Sequence, residues 1–163
     1  MLKNNFKRNI IFIIIFAFIF ATDRLSKLYI LNLAEINDTL NLFVTPFLNF
    51  YLTWNKGIAF GLFSFDQNFI YNLITFLIVL ITVIILIVAV RSKDYKGYFF
   101  ISIFSGSAGN LYDRFYYSAV PDFIDFHIND FHWFIFNLAD VFISVGVICL
   151  IIAEFFFNKT HTK

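Results

Sequence analysis

The chain has 163 residues, of which 60% are hydrophobic and only 14% are charged, and its formal net charge is +1. Soluble domains are typically about half apolar and a quarter charged, and here the apolar residues gather into long runs, which is typical of a membrane protein. The near-neutral charge and the lack of a basic stripe argue against a nucleic-acid partner, and the single cysteine, Cys149, excludes an internal disulfide.

The first apolar segment, residues 10–33, is predicted to be a membrane-spanning helix. Its uninterrupted apolar part, residues 10–21, is too short to cross a hydrocarbon core of about 30 Å at 1.5 Å per residue. The helix must therefore include Asp23 and Lys27 near its outer end. A basic start before an apolar run also fits a cleaved signal peptide, but no small-x-small cleavage site follows, so we interpret the segment as a retained helix.

The next two segments are an outer loop, residues 34–68, and a second span, residues 69–90. Residues 43–54 of the loop are rich in β-branched and aromatic side chains, and Pro46 fits an edge strand. We therefore expect a small sheet on the membrane surface, where tryptophan and tyrosine are favoured. The second span carries no charge and is the clearest of the predicted helices.

A third span is predicted at residues 97–112 and a fourth at residues 134–157, with a second outer loop, residues 113–133, between them. The third span is rich in small residues, which allow neighbouring helices to approach closely in lipid. The sequence thus predicts one all-α integral membrane domain over residues 1–163, with four transmembrane helices and a small extracytoplasmic β-sheet.

Charged residues divide between the two predicted faces of the membrane. Basic residues fall on one face, at Lys3, Lys7, Arg8, Arg91, Lys93, Lys96, Lys159 and Lys163. Acidic residues fall on the other, at Asp38, Asp66, Asp122, Asp125 and Asp130. Because cytoplasmic loops carry the excess of Lys and Arg, both termini are predicted to be cytoplasmic.

Polar side chains collect near the outer ends of three predicted helices, at spacings of three or four residues that place them on one face of each helix. They are Asp23 and Lys27, then Asn110, Asp113 and Arg114, then Asn137, Asp140 and Ser144. Carboxylates at membrane depth are costly and therefore indicate function. Asp140, together with Asp122 in the second outer loop, suggests a paired acid and base.

Each of these side chains also has a purely structural explanation. Asp23 and Lys27 would form an intrahelical ion pair worth a few tenths of a kcal/mol. Asp113 and Arg114 would form a pair tying the third helix to its neighbours, and the asparagines would bond between helices. Asp140 would interact with the positive end of its own helix.

Two further clusters are given structural interpretations. His127, Asp130 and His132 match no zinc-binding spacing, so they are interpreted as part of a solvated loop. Residues 105–109, Ser-Gly-Ser-Ala-Gly, are not the Gly-x-Ser-x-Gly elbow of a serine hydrolase, and helix packing explains them better.

Five motifs occur in order along the chain: Asp23-Arg24-Leu25-Ser26-Lys27, Asn55-Lys56-Gly57-Ile58-Ala59-Phe60-Gly61, Gly109-Asn110-Leu111-Tyr112-Asp113-Arg114, residues 120–126 (Val-Pro-Asp-Phe-Ile-Asp-Phe) and Phe136-Asn137-Leu138-Ala139-Asp140. Together they make the chain resemble lipoprotein signal peptidase, or signal peptidase II, the bacterial intramembrane aspartyl protease family. Two residues depart from the family pattern. Ser107 stands for the second glycine of a Gly-Gly pair, and Pro121 stands for a valine.

The resemblance implies an aspartyl endopeptidase with Asp122 and Asp140 as its catalytic pair. It implies site-supporting or substrate-binding roles for Asp23, Lys27, Asn55, Gly57, Asn110, Asp113, Arg114 and Asn137. It implies neither a metal nor a cofactor. The implied substrate is a diacylglyceryl-modified prolipoprotein, cleaved before its lipidated cysteine, and membrane lipid is the other implied partner. The implied location is the bacterial inner membrane, with the site near the outer face and the protein as a monomer.

Two other functions fit intramembrane aspartates. A small transporter or proton-relay protein would place its carboxylates near the bilayer midplane or on both sides, whereas the strong candidates here all lie at the outer end. An assembly factor without enzymatic activity would use the polar residues only to hold helices together, and would tolerate Asp140→Asn.

Overall fold

The computed structural model describes residues 2–36, 40–57, 67–129 and 131–157. The second half of the Asn55 motif, residues 58–61, lies outside them, as do Asp38, Asp66, Asp130, Lys159 and Lys163. The described helices are α1 (Leu2–Ile36), α2 (Gln67–Arg91), α3 (Lys96–Tyr117) and α4 (Leu138–Phe157). The described strands are β1 (Asn41–Thr45), β2 (Leu48–Asn55), β3 (Val120–Ile128) and β4 (Phe131–Phe136).

The prediction of a mostly helical membrane protein with a small sheet is confirmed. Within the described residues, three stretches are long and apolar enough to cross a membrane: Phe6–Ile36, Asn68–Arg91 and Leu138–Phe156. Helix α3 is not among them, because its serines, glycines, asparagine and ion-pairing residues lower its hydropathy. A count of four spans therefore does not follow from length and composition alone.

Helix α3 is central in the bundle, since it packs against α1, α2 and α4. Its small residues make this possible. A Cβ atom added at Gly106 would lie 2.6 Å from the carbonyl oxygen of Ala139, and one at Gly109 would lie 2.7 Å from a carboxylate oxygen of Asp23. Ser107, the departure from Gly-Gly, is also accommodated, because its hydroxyl lies 2.5 Å from that of Thr82 on α2.

The strands form one antiparallel sheet in the order β1-β2-β3-β4. Pro46 was predicted on an edge strand, but it lies in the turn between β1 and β2, where its fixed φ suits a tight turn better than a strand. A buried cluster of Ile30, Leu40 and Phe123 holds the sheet against the C-terminal end of α1.

The boundaries around the second outer loop differ from those predicted. Residues 113–117 continue α3 and residues 134–136 belong to β4, so α4 begins only at Leu138. The aromatic residues of β4 resemble the start of an apolar span, and the charged pair at 113–114 resembles a helix end. The structure instead holds both charges inside the bundle. Helix α1 also extends beyond the predicted residues 10–33 at both ends.

The helix ends bearing basic residues meet at one end of the bundle. Arg8 Nη1 on α1 donates to the carbonyl oxygen of Ser92, in the α2–α3 connection, at 2.7 Å. Lys96, at the start of α3, pairs with Glu154, near the end of α4, at 2.6 Å. The sheet packs on the C-terminal end of α1, so it lies at the opposite end of the bundle from these contacts.

We predict that Gly106→Ala lowers the free energy of unfolding. The added methyl group meets backbone that cannot rotate away, which costs about 1–3 kcal/mol, while the gain in helix propensity returns up to about 1 kcal/mol. Denaturant unfolding in detergent, followed by circular dichroism, measures the difference. Ser102→Ala on the same helix serves as control, since its hydroxyl makes one long 3.5 Å contact. A Gly106→Ala protein more stable than wild type would contradict this close packing.

Candidate active site

Asp122 is buried on β3 and accepts one side-chain hydrogen bond on each carboxylate oxygen. Asn137 Nδ2 donates to Oδ1 at 2.6 Å, and Asn55 Nδ2 donates to Oδ2 at 2.9 Å. A bulge in the pairing of β2 with β3 lies beside the site, between the pairs Phe50–Ile124 and Thr53–Asp122. Bulges of this kind often re-aim side chains next to active sites, and here Asn55 reaches Asp122 from the neighbouring strand.

Asp140 lies in the first turn of α4, where it and Asn137 form a reciprocal cap. The backbone N–H of Asp140 donates to Asn137 Oδ1 at 3.2 Å, and the backbone N–H of Asn137 donates to Asp140 Oδ2 at 3.1 Å. This is the geometry of a capping box, with aspartate in the position of the usual glutamate. The predicted interaction of Asp140 with its own helix start is thus present. It leaves Oδ1 to accept a further hydrogen bond from Asn110 Nδ2 at 2.8 Å.

Each of the three asparagines is fixed in orientation by a second partner on its amide oxygen. Asn110 Oδ1 accepts from Lys27 Nζ at 2.9 Å, and Asn55 Oδ1 accepts from the backbone N–H of Gly57 at 2.6 Å. Asn137 Oδ1 accepts from the backbone N–H of Asp140. Because the oxygen of each amide is occupied, its NH₂ group faces an aspartate. The structure therefore aims neutral donors at both carboxyl groups.

Behind Asn110 lies a buried ion cluster of two carboxylates and two cations. Lys27 Nζ contacts Asp23 at 3.0 Å and Asp113 at 2.7 Å, so with Asn110 all three of its donors are used. Arg24 bonds both carboxylates, reaching Asp23 at 2.8 Å and Asp113 Oδ2 at 2.7 Å. Asp23 Oδ1 also accepts the backbone N–H of Ala139 at 3.1 Å, which caps the start of α4.

Asp113 and Arg114 tie α3 to two different neighbouring helices and do not pair with each other. Asp113 faces α1 and bonds Arg24 and Lys27. Arg114 turns the other way, because successive residues on a helix point in different directions. Its guanidinium lies 5.6 Å from the ring centroid of Tyr71 on α2, and the Tyr71 hydroxyl donates to the Arg114 carbonyl oxygen at 2.9 Å. Within the described residues, Arg114 Nη1 is buried without a hydrogen-bond partner.

Gly57 is needed beside Arg114 for two reasons. Its φ of 77° lies in the left-handed region, which other residues rarely adopt. A Cβ atom there would also lie 2.9 Å from Arg114 Nη2. The residue thus allows the chain after β2 to turn tightly over the guanidinium.

These side chains surround a cavity of about 280 Å³. It is lined by Asn55, Ile78, Ser107, Asn110, Arg114, Val120, Asp122, Asn137, Asp140 and Ile143. Six of the ten residues predicted from the sequence therefore line one space. Asp23, Lys27 and Asp113 lie behind it as the ion cluster, and Gly57 lies against Arg114. With Pro121 before it, Asp122 still shares this cavity with Asp140.

Arg24 was not among the predicted site residues, and His127 was wrongly predicted to lie in a solvated loop. Arg24 occupies a position between the motif residues Asp23 and Lys27, and its role depends on Asp113, 89 residues away in sequence. His127 is buried on β3 rather than in a solvated loop, and its Nδ1 lies 3.8 Å from Asp125 Oδ2. Period-2 alternation, which places residues 123, 125 and 127 of β3 on one face, was the available signal.

Burial raises the pKa of the Asp122 carboxyl to about 6, from an ordinary value of 3.8. The hydrogen bonds from Asn137 and Asn55 favour the ionised form and oppose this shift, whereas the negative charge of Asp140 adds to it. Two carboxyl groups in one desolvated cavity do not readily ionise together. The arrangement can therefore hold one proton between them, as general acid–base hydrolysis requires.

The chain is similar to bacterial membrane proteases. The family model described as Signal peptidase (SPase) II matches residues 15–156. The lipoprotein signal peptidase of Pelagibacter ubique strain HTCC1062 is 51% identical, over 99% of this chain and 95% of its own length. That of Aquifex aeolicus strain VF5 is 39% identical, over 89% and 85%. A solved bacterial membrane enzyme at 1.9 Å resolution superposes with a TM-score of 0.72 and 28% identity, over 91% of this chain and 94% of that one.

We predict that Lys27→Met lowers the free energy of unfolding by about 3–5 kcal/mol, because it leaves two buried carboxylates with one cation. Lys96→Met is the matched control. It breaks a Lys–carboxylate pair whose glutamate is 59% exposed, and it should change stability little. Denaturant unfolding of both variants in the same detergent measures the contrast. Equal, small effects would contradict a role for the cluster in stability.

Proposed function

The chain belongs to the lipoprotein signal peptidase (signal peptidase II) family of aspartic proteases, which remove signal peptides from prolipoproteins, and we propose that Asp122 and Asp140 are its catalytic pair. The observation that carries the proposal is their shared cavity. In it, side-chain amides donate to three of the four carboxylate oxygens, and the backbone N–H of Asn137 donates to the fourth. The other eight predicted site residues orient or border this pair.

In the proposed mechanism, Asp122 holds the shared proton and Asp140 is the base. Asp140 lies at the positive end of α4, where a negative charge is favoured, whereas burial favours the neutral form of Asp122. Asp140 takes a proton from a water molecule, which attacks the scissile carbonyl carbon. Asp122 polarises the carbonyl oxygen and then supplies a proton toward the leaving amine. The unpartnered Nη1 of Arg114 offers a donor to the substrate within the same cavity.

The substrate we propose is a prolipoprotein with a diacylglyceryl group on the cysteine that follows the cleaved bond. An apolar groove of about 460 Å³ beside the pair supports this. It is lined by Asp140 and, apart from Ser144, by apolar side chains of β3, β4 and α4, including Phe126, Phe134 and Val145. A lipid chain in this groove would keep its apolar surroundings while the adjoining peptide bond reaches the carboxyl groups.

We propose that α3 also spans the membrane, in addition to α1, α2 and α4, which gives four spans. Its 22 residues extend about 33 Å at 1.5 Å per residue, which matches the hydrocarbon core, and the other three helices shield its polar side chains. Both termini would then lie on the cytoplasmic side of the bacterial inner membrane, because the basic helix ends meet at one end of the bundle. The sheet and the active site would lie near the outer face.

A transporter or proton-relay function is disfavoured by family membership. The described arrangement also gives it no support, since the buried charges form a closed cluster at one depth rather than a path along the bundle.

We predict that Asp122→Asn and Asp140→Asn each reduce cleavage of a diacylglyceryl-modified prolipoprotein by at least about a hundredfold, because an amide serves neither as acid nor as base. The measurement is the initial rate with purified protein in detergent, alongside the unlipidated precursor. Asp94→Asn, an exposed aspartate at the opposite end of the bundle, is the matched control.

Folding of each variant is checked by its unfolding temperature. Full activity in either folded variant would remove that residue from the catalytic pair. Equal rates on lipidated and unlipidated precursors would contradict the proposed substrate while leaving the pair intact.

The pH dependence of cleavage tests the assignment of the proton. With the pKa of Asp122 near 6, kcat/KM should fall as pH rises through about 6, since the pair then loses its proton; the apparent value belongs to the pair. Asn55→Ala removes a hydrogen bond that favours the ionised form, so this alkaline limb should move to higher pH. Asn41→Ala on β1 should leave the profile unchanged. A shift to lower pH in Asn55→Ala would contradict Asp122 as the acid.

A further inference from the structure

Two histidines and an aspartate meet on the β3–β4 hairpin, outside the catalytic cavity. His127 and His132 lie directly opposite each other in the register of the two strands. A bulge produces this pairing. Asp125 pairs with Ile135 while His127 pairs with His132, so two steps along β3 face three along β4. None of the three side chains lines the cavity of Asp122 and Asp140.

The two imidazole rings stack on each other with their centroids 4.9 Å apart, and the carboxylate of Asp125 faces the Nδ1 atom of each ring. Its oxygens lie 2.9 and 3.0 Å from His132 Nδ1, and Oδ2 lies 3.8 Å from His127 Nδ1. One donor atom from each of the three residues lies within 4.8 Å of the others. Ligands about 2.1 Å from a tetrahedral zinc ion are about 3.4 Å apart, so the two separations from Asp125 bracket the required spacing.

One of these donor atoms has no hydrogen-bond partner. His127 is 9% exposed, and its Nδ1 is buried without a hydrogen bond among the described residues. Asn49 lies opposite Asp125 on β2, and its amide oxygen is also buried without a hydrogen bond among the described residues. Buried polar atoms are normally paired, so two such atoms around one carboxylate indicate a missing ligand.

We propose that Asp125, His127 and His132 bind a divalent cation of the zinc class. Two imidazole nitrogens and one carboxylate oxygen are a donor set that zinc accepts, with a fourth position left for water or a further ligand. The side chain of His132 is 54% exposed, which gives the ion access from solvent and lets this ring rotate to close the site. A cavity of about 370 Å³, lined by Asp125, His132, Asn49 and their neighbours, leads to the carboxylate.

A bound ion would join β3 to β4 close to their connecting turn. Strand β3 carries Asp122, and strand β4 ends immediately before Asn137. The expected effect of the ion is therefore to stabilise the hairpin that positions these residues. This inference does not depend on which aspartates are catalytic, since it is tested by binding.

The test is zinc binding to the full chain in detergent, purified with a tag that contains no histidine and stripped with a chelator. Competition with a chromogenic chelator gives the affinity, and Co²⁺ absorption reports the coordination. The variants are His132→Ala, His127→Ala and Asp125→Asn. His161→Ala is the matched control, since it removes the remaining histidine of the chain.

Wild type and His161→Ala should bind one Zn²⁺ per chain, and each cluster variant should bind at least about tenfold more weakly. Zinc should also raise the unfolding temperature of wild type and of His161→Ala, but not of His132→Ala. If a variant at a buried residue fails to fold, His132→Ala still tests the proposal, because His132 is exposed. Absence of saturable binding in wild type, or equal binding in His132→Ala, would overturn the proposal.

Discussion

The structure depends on the compensation of four charges buried inside the bundle: Asp23, Arg24, Lys27 and Asp113. An unpaired charge in this position would cost several kcal/mol, so α1 and α3 must keep the depth and rotation at which the four groups meet. Two further bonds extend from the cluster. Asp23 caps the start of α4 through Ala139, and Lys27 holds the amide of Asn110. The position and the hydrogen bonding of Asp140 both follow from these contacts.

Neutral amides separate the cations of this cluster from Asp122 and Asp140, the proposed catalytic pair. A lysine or arginine bonded directly to either aspartate would favour the ionised form of that carboxyl group. The pair would then lose the shared proton that the proposed mechanism needs. Asn110 instead transmits the orientation of Lys27 to Asp140 without bringing the charge into contact. Asn137 links the two halves of the site, since it caps α4 with its backbone and amide oxygen and donates to Asp122 with its amide nitrogen. Burial is thus the largest influence on the pKa of Asp122.

The sequence predicted those features that depend on local spacing. Asn137 and Asp140, three residues apart, meet at the start of α4, and the apolar run of α2 marks a span. Features that depend on contacts between residues far apart in the sequence were not predictable in this way. The contact of Asn55 with Asp122 crosses 67 residues and a bulge, and the pairing of Arg24 with Asp113 crosses 89. The aromatic residues of β4 were taken for the start of a helix because apolar strands and apolar spans have similar compositions.

The proposed mechanism requires that Asp122 and Asp140 share one proton and that this proton resides on Asp122. Isotope-edited infrared spectroscopy of protein labelled at aspartate carboxyl carbons tests it most directly, because a protonated carboxyl has its own C=O stretching band. Near pH 5 we expect a band from one buried protonated aspartate that disappears in Asp122→Asn, persists in Asp94→Asn, and titrates away as the pH rises past about 6. An actively cleaving protein without this band, or a band that survives in Asp122→Asn, would contradict the assignment of the proton to Asp122.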